Sequence, residues 1–480
     1  MTVAKLPDEL WVNIIGWVPD DVVRQLLGVN RLFSRRALRA KYRSITVNSH
    51  ATRRACDRLQ HIRDSGYAQY VRCLDIDLTF LSREEPYVLP WMAPKTSSPV
   101  HASVAVTRDI RKLLLYIVEN AEDLTDCCFR WQSGLEFHHQ ADFLQALWPL
   151  LRDSMRNLSL LMTPVYFDTL VQNARNLRAL QHLRLDFRFP PSSWVLAEGG
   201  IDNFPQFMDS VKDHIRSLDL SWLEYPYSAA SMSKGTPALP HLEHLEELAL
   251  QVAEPSSLEI PQVARFLERH SGQITELDYE VRTTDHLTNL FAHTSFVALT
   301  ELSLRTVDFL PQIVNLLRTT FFPLDRLEKL AISGYFMPAD EVLIASAAFT
   351  LNPLSYSNSL LRSLHLHVNT ITPPFLDTLS TRYPSLKLLS LHCVLGESNI
   401  PQVAIPALAC SDGWKVDMSK RKYLEWKVEQ LVIGYARLPD LAPEFDEEAT
   451  KIVAQSIPSV HVFASSLYSQ HPSWFRYDPV

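Results

Sequence analysis

Glycine is scarce in this chain, at 12 residues in 480. So low a count disfavours folds built on many tight glycine turns and argues against glycine-rich loops that cradle phosphate. Cysteine is sparse as well. Cys56, Cys73, Cys127, Cys128, Cys393 and Cys410 show no CxxC pairing, so neither a zinc module nor a disulfide framework is written here. Reduced core thiols in a cytoplasmic and/or nuclear protein are the expectation. No uninterrupted apolar run approaches membrane-spanning length, and the opening "MTVAKLPDEL" lacks a cationic stretch ahead of an apolar one. No GxSxG elbow, HExxH helix or phosphate loop occurs. We therefore expect no enzymatic activity, no cofactor, no bound metal and no membrane partner.

Proline reaches 30 residues, hydrophobic residues 46% and charged residues 21%, which describes a folded chain with a large core. The length calls for two or three ordinary domains or one long repeat array. The net charge of -8 disfavours a nucleic-acid partner and permits a basic protein partner.

Periodicity decides between domains and repeats. One pattern recurs: aliphatic, two variable residues, aliphatic, one variable residue, aliphatic. It reads "VRCLDI" at 71, "MRNLSL" at 155, "LQHLRL" at 180, "IRSLDL" at 215, "LEELAL" at 245, "ITELDY" at 274, "LTELSL" at 299, "LEKLAI" at 327, "LRSLHL" at 361, "LKLLSL" at 386 and "VEQLVI" at 428, with weaker copies "AEDLTD" at 121 and "IPSVHV" at 457. From Leu158 to Leu389 the middle leucines are 25 to 35 residues apart, one strand–helix unit per step. Intervening segments such as "PQVARFLERHSG" and "NFPQFMDSVKDHI" carry apolar residues at helical spacing. Over residues 70 to 465 this resembles the leucine-rich-repeat family, although the asparagine that usually follows the strand stands only at Asn369. The resemblance implies an α/β fold: a right-handed solenoid, or horseshoe, with parallel strands on the concave face and helices on the convex face. Two steps are long, and loop insertions are expected near 82–107 and 396–424.

Alternation along each strand sends the aliphatics inward and the variable residues outward. Ten outward positions are acidic: Asp75, Asp77, Asp123, Asp186, Asp219, Glu247, Glu276, Asp278, Glu280 and Glu301. Only Arg184, Arg305 and Lys329 oppose them. A negative face steers a basic protein segment and repels an acidic one, so we place substrate binding at Asp219, Glu247, Glu276, Asp278, Glu280, Glu301 and Arg305. His365, His367 and His392 extend that face as exposed polar residues and join the same substrate-binding set. The doublets Cys127–Cys128 and His138–His139 make no site, because adjacent residues point in different directions. The basic runs "RLFSRRALRAKYR" and "KRK" at 420 read as solvated surface.

The amino-terminal stretch "LPDELWVNIIGWVPDDVVRQLLGVNRLF" is apolar at helical spacing: Leu10, Ile14 and Val18, then Val22, Leu26, Val29 and Phe33 after the break at Pro19. Two helices with more apolar surface than they can bury alone are expected over 1–47, followed by repeats over 48–465 and a tail over 466–480. Residues 6 to 33 resemble the F-box, a short module whose pattern begins LPxEL, carries a Leu-Pro near Val18–Pro19 and ends in an aromatic. Asn30 replaces the family's common Cys, and Phe33 its common Trp. The resemblance implies docking of a Skp-type adaptor, and through it a cullin-RING ubiquitin ligase, by Leu6, Pro7, Leu10, Ile14, Val18, Pro19, Val22, Leu26, Val29 and Phe33. The chain is then a non-catalytic substrate receptor. The alternative is a repeat scaffold for protein interaction with no link to ubiquitination.

Overall fold

The computed structural model describes residues 7–25, 28, 31–48, 53–78, 99–130, 138–151, 154–162, 167, 171, 177–188, 203–223, 239–252, 260–281, 294–306, 326–337, 360–368, 371–394, 412–436 and 447–467. They fall into two compact units, Met1–Leu245 and Glu246–Val480.

In the first unit, three short helices, α1 (Asp8–Trp17), α2 (Asp20–Gln25) and α3 (Arg31–Tyr42), precede a parallel sheet. Its strands are β1 (Ser44–Val47), β2 (Cys73–Asp77), β3 (Asp126–Arg130), β4 (Asn157–Met162), β5 (His182–Arg188) and β6 (Ser217–Leu223). Each strand pairs with the next in chain order, so every crossover steps the same way. The described crossover helices are α4 (Arg53–Asp64), α5 (Pro99–Asn120), α6 (His138–Leu147) and α7 (Phe204–Val211). Gly66 ends the turn after α4 in the left-handed region at φ 68°, where a Cβ would be strained.

The second unit repeats the plan with eight strands: β7 (Glu247–Val252), β8 (Glu276–Val281), β9 (Glu301–Thr306), β10 (Lys329–Met337), β11 (Ser363–Val368), β12 (Leu388–Val394), β13 (Gln430–Ala436) and β14 (Val462–Leu467). They too are parallel and sequential. Helices α8 (Ile260–His270), α9 (Pro373–Arg382), α10 (Asp412–Ser419) and α11 (Glu447–Ser456) lie between strands. Thr372 caps α9, its Oγ1 accepting from Phe375 N–H at 3.3 Å, and two prolines fill a first turn that has no use for their missing N–H groups.

The aliphatic pattern is the core. Ile45, Leu74, Cys127, Leu158, Leu183 and Leu218 occupy one rung of the first sheet. Leu248, Leu277, Leu302, Leu330, Leu364, Leu389, Leu431 and Phe463 occupy the matching rung of the second. From Ile45 through Leu431 these side chains are buried. Burial of a side chain this size is worth about 1.5–3 kcal/mol, and no single repeat can supply the covering surface by itself. This is a leucine-rich-repeat-like α/β arrangement, resting on the chain's own spacing and register.

Several expectations are corrected. The two weak copies of the pattern lie three residues later than the spacing predicts: Leu74 pairs with Cys127, and Leu431 pairs with Phe463. The true copies are "LTDCCF" at 124 and "VHVFAS" at 460. An additional buried residue stands three positions ahead of the pattern in many repeats, as Leu177 before Leu180 and Leu242 before Leu245, so the spacing tolerates that slip. Asp123 therefore lies ahead of β3, and Arg130 joins the outward face. The insertion expected over 82–107 ends early, since Pro99 opens α5. The one expected over 396–424 closes on core: Trp414, Met418 and Tyr423 are buried. Of the run "KRK", Arg421 is structural, its guanidinium bonded to Asp377 at 3.0 Å and to Asp417 at 2.7 Å.

Candidate functional site

The amino-terminal helices carry the first candidate. The chain turns into α1 at Pro7, whose carbonyl accepts from Leu10 N–H and Trp11 N–H at 3.1 and 3.2 Å. Three helices are described where the spacing predicts two, α2 ending at Gln25 and α3 opening at Arg31. Val23, Phe33 and Ala37 make a buried cluster against which Trp11, Val18 and Leu32 pack. Trp11 meets Phe33 edge-on, ring centroids 5.6 Å apart. That corrects the apolar stripe in two places: Val23 points inward in place of Val22, and Phe33 is a core residue, unavailable to a partner.

The other side of α1 is open. Leu10, Ile14 and Trp17 follow at i, i+4 and i+7 with 48%, 42% and 89% exposure, and Val22 on α2 is 41% exposed. Pro7 and Pro19 are exposed and Val18 is half-buried. Leu6, Leu26 and Val29 lie outside the described residues. The two tryptophans thus divide the work: Trp11 anchors the helix, and Trp17 faces solvent.

The strand faces carry the second candidate. In the second unit Glu247, Glu276 and Glu301 share one rung, followed by Lys329, which pairs with Glu301. Arg305 bridges Asp278 and, at 3.4 Å, Glu280. Gln251 also donates to Glu280 at 2.6 Å. Five carboxylates on β7 to β9 thus meet two cations, an acidic face that is partly neutralised within the sheet. In the first unit Arg130 pairs with Asp75, and Arg184 pairs with Asp219 at 3.3 Å. Asp186 is buried, so it offers a ligand little. Arg130 reaches Asp75 because β3 pairs with β2 three residues later than the weak copy at 121 predicts.

The histidines form a third group, and they are not exposed. His367 pairs across the register with His392, and His365 with Ser390. The three ring centroids are 4.7 to 5.2 Å apart. Ser390 Oγ lies 2.9 Å from His365 Nδ1 and 3.2 Å from His392 Nε2. His367, His392 and Ser390 are buried, beside the small residues Ala331 and Gly434. Burial lowers all three imidazoles, His365 to about 2, His367 to about 3 and His392 to about 4, and neighbouring rings depress the first two further. Neutral rings at physiological pH result, and no group of metal-ligating side chains suited to an ion occurs among the described residues.

Cys56, Cys73, Cys127 and Cys128 are free thiols. Burial, reinforced by nearby carboxylates, raises all four, which leaves little thiolate for nucleophilic chemistry. Among the described residues no helix is long and apolar enough to cross a membrane.

No protein-family model matches the chain, and no curated protein matches it. Among solved structures it is similar to the leucine-rich repeat-containing protein LegL7 from Legionella pneumophila, at 10% sequence identity and a TM-score of 0.31, over 88% of this chain and 90% of that one.

Proposed function

We propose that this chain is a non-catalytic protein-recognition subunit of a Skp–cullin–F-box ubiquitin ligase: α1 and α2 dock the adaptor, and the acidic strand face holds a basic segment of the substrate. The observation that carries the reading is the open side of α1. Leu10, Ile14 and Trp17 remain in water while the opposite side is anchored through Trp11, Val23 and Phe33. Exposed apolar side chains on a helix that is itself held by a small core are what a partner surface requires. The F-box resemblance of residues 6 to 33 supplies the partner's class. The subunit's contribution to catalysis is proximity, holding a substrate lysine where a partner-borne ubiquitin reaches it.

The test is co-purification of a Skp-type adaptor with the full chain and with a Leu10→Ala, Trp17→Ala double variant. The reading expects a stable complex with the first and its loss with the second. An adaptor that ignores both forms removes the ligase assignment and leaves the repeats as an interaction scaffold.

A further inference from the structure

Charge is segregated along this chain. Residues 31–72 hold eleven Lys and Arg against two Asp, a net +9, inside a chain of net charge -8. All eleven cations are exposed. Arg63 pairs with Asp64 at 2.8 Å and Arg72 with Asp123 at 3.0 Å, Arg36 and Arg43 have contacts of their own, and Arg58 donates to the Ser44 carbonyl at 3.4 Å. Arg31, Arg35, Arg39 and Lys41 on α3 and Arg53 and Arg54 on α4 remain, and among the described residues no carboxylate forms an ion pair with any of them. The sequence of α3 has no acidic residue, and that of α4 has Asp57 besides the engaged Asp64. Arg31, Arg35 and Arg39 recur every fourth residue, about 6 Å apart along one side of the helix. The two helices are pinned together by aromatic rings. Tyr42 Oη lies 3.2 Å from His61 Nε2, Lys41 Nζ sits 5.2 Å from the centre of the Tyr42 ring, and Tyr42, Tyr67 and Tyr70 stack in series at 4.7 and 6.2 Å. Tyr42 is buried, Tyr67 and Tyr70 are half-buried and His61 is exposed, so aromatic surface reaches water beside the cations.

We propose that the joined surface of α3 and α4 binds a single strand of nucleic acid, with the arginines on its phosphates and an unstacked base against Tyr67, Tyr70 and His61. Net charge averages over the whole chain and conceals such a surface, whereas binding responds to the local field. Three features separate this partner from other anions. Five of the six cations are arginine, whose planar fork matches phosphate oxygens and stacks on bases. A lipid surface requires an apolar helix face to insert, but α3 turns Phe33, Ala37 and Ala40 inward, and among the described residues none of the exposed large apolar side chains lies on α3 or α4. An acidic protein would find no apolar anchor there either. Rings that reach water beside a cationic track favour single strands, whose bases are free to stack on them, over duplexes, whose bases are already stacked. The site does not rest on adaptor docking, which uses the open side of α1.

The experiment uses the full chain and a fluorescein-labelled, random-sequence single strand of about 12 nucleotides, as RNA and as DNA, read by fluorescence anisotropy. Binding of either is expected, with affinity falling roughly 50-fold between about 50 and 200 mM salt when four phosphates are engaged. Unlabelled competitors identify the partner: polyaspartate of equal charge, phosphatidylserine-containing vesicles at equal accessible charge and a duplex of the same length should each compete at least about tenfold less well than the single strand. The triple variant Arg35→Gln, Arg39→Gln, Arg54→Gln should bind about 100-fold more weakly at 0.1 M salt, since each phosphate contact is worth about fivefold there. Arg326→Gln, Arg362→Gln, Lys427→Gln removes the same charge from exposed positions of the second unit and should stay within about twofold of wild type. Absence of binding at low salt, equal or better competition by any of the three competitors, or equal losses in the two triple variants overturns the proposal. Should the first variant not fold, photo-crosslinking of the wild type to a strand carrying thiouridine decides: adducts fall within residues 31–72, and adducts only elsewhere, or none, refute the site.

Discussion

Acidification should unfold the second unit through its histidines, and the effect can be isolated at His392. Above pH 6.5 the imidazole is neutral whether the chain is folded or not. Below that value the unfolded chain takes up a proton that the folded chain, with His392 held to about 4, refuses. The unfolded state then binds more protons, so stability falls as pH drops from 6.5 toward 4. For one group between pH 8 and pH 5 the loss is RT ln(1 + 10^1.5), about 2 kcal/mol, taking an unfolded value of about 6.5. His365 and His367, lowered further, add losses of the same order. The measurement is urea unfolding of wild type and His392→Gln at pH 8, 7, 6 and 5, followed by the fluorescence of Trp414 and Trp426, buried in the same unit. Any fixed cost of the substitution cancels in the slope. The variant's stability should depend on pH less steeply by about 2 kcal/mol over that range. Parallel curves for the two proteins would refute a buried, neutral cluster.

Phe33→Ala empties the small core beneath α1 and should destabilise the amino-terminal helices by about 3–5 kcal/mol, whereas Trp17→Ala should stay within about 0.5 kcal/mol; hydrogen exchange over residues 7–42 distinguishes them. Arg305→Gln strips Asp278 and Glu280 of their cation and should cost about 1–2 kcal/mol in thermal unfolding, between the values of exposed and buried pairs. It should also tighten binding of a lysine-rich peptide at low salt, read by anisotropy. Tyr423→Phe removes the 2.7 Å bond to Asp377 and should lower stability by about 1 kcal/mol, measured by urea unfolding.

Much of the fold is legible because two periodicities coincide. The spacing of Leu183 and Leu185, or of Leu389 and Leu391, fixes which face each strand buries, and the distance to the next copy leaves room for one helix. The same chemistry explains the errors. At 121 and 457 a further buried residue stands three positions upstream, and its spacing imitates the pattern one step early. At Pro99 a loop-like composition hides a helix start, since proline is tolerated in a first turn. Partners were harder to read than faces. The bridge from Arg305 to Asp278 and Glu280 joins residues on separate strands, and only register shows that it spends part of the acidic face internally. The histidines occupy outward positions, and their burial comes from clustering with one another beside Ala331 and Gly434, a property of three strands together.

The most direct measurement of the central claim is calorimetric titration of a purified Skp-type adaptor into the full chain, repeated with Trp17→Asp. The account predicts one-to-one binding of micromolar affinity or tighter, with a negative heat-capacity change from apolar burial and loss of binding in the variant. Absence of binding by the wild type, or equal binding by a variant carrying a charge at the most exposed residue of the open side of α1, would contradict it.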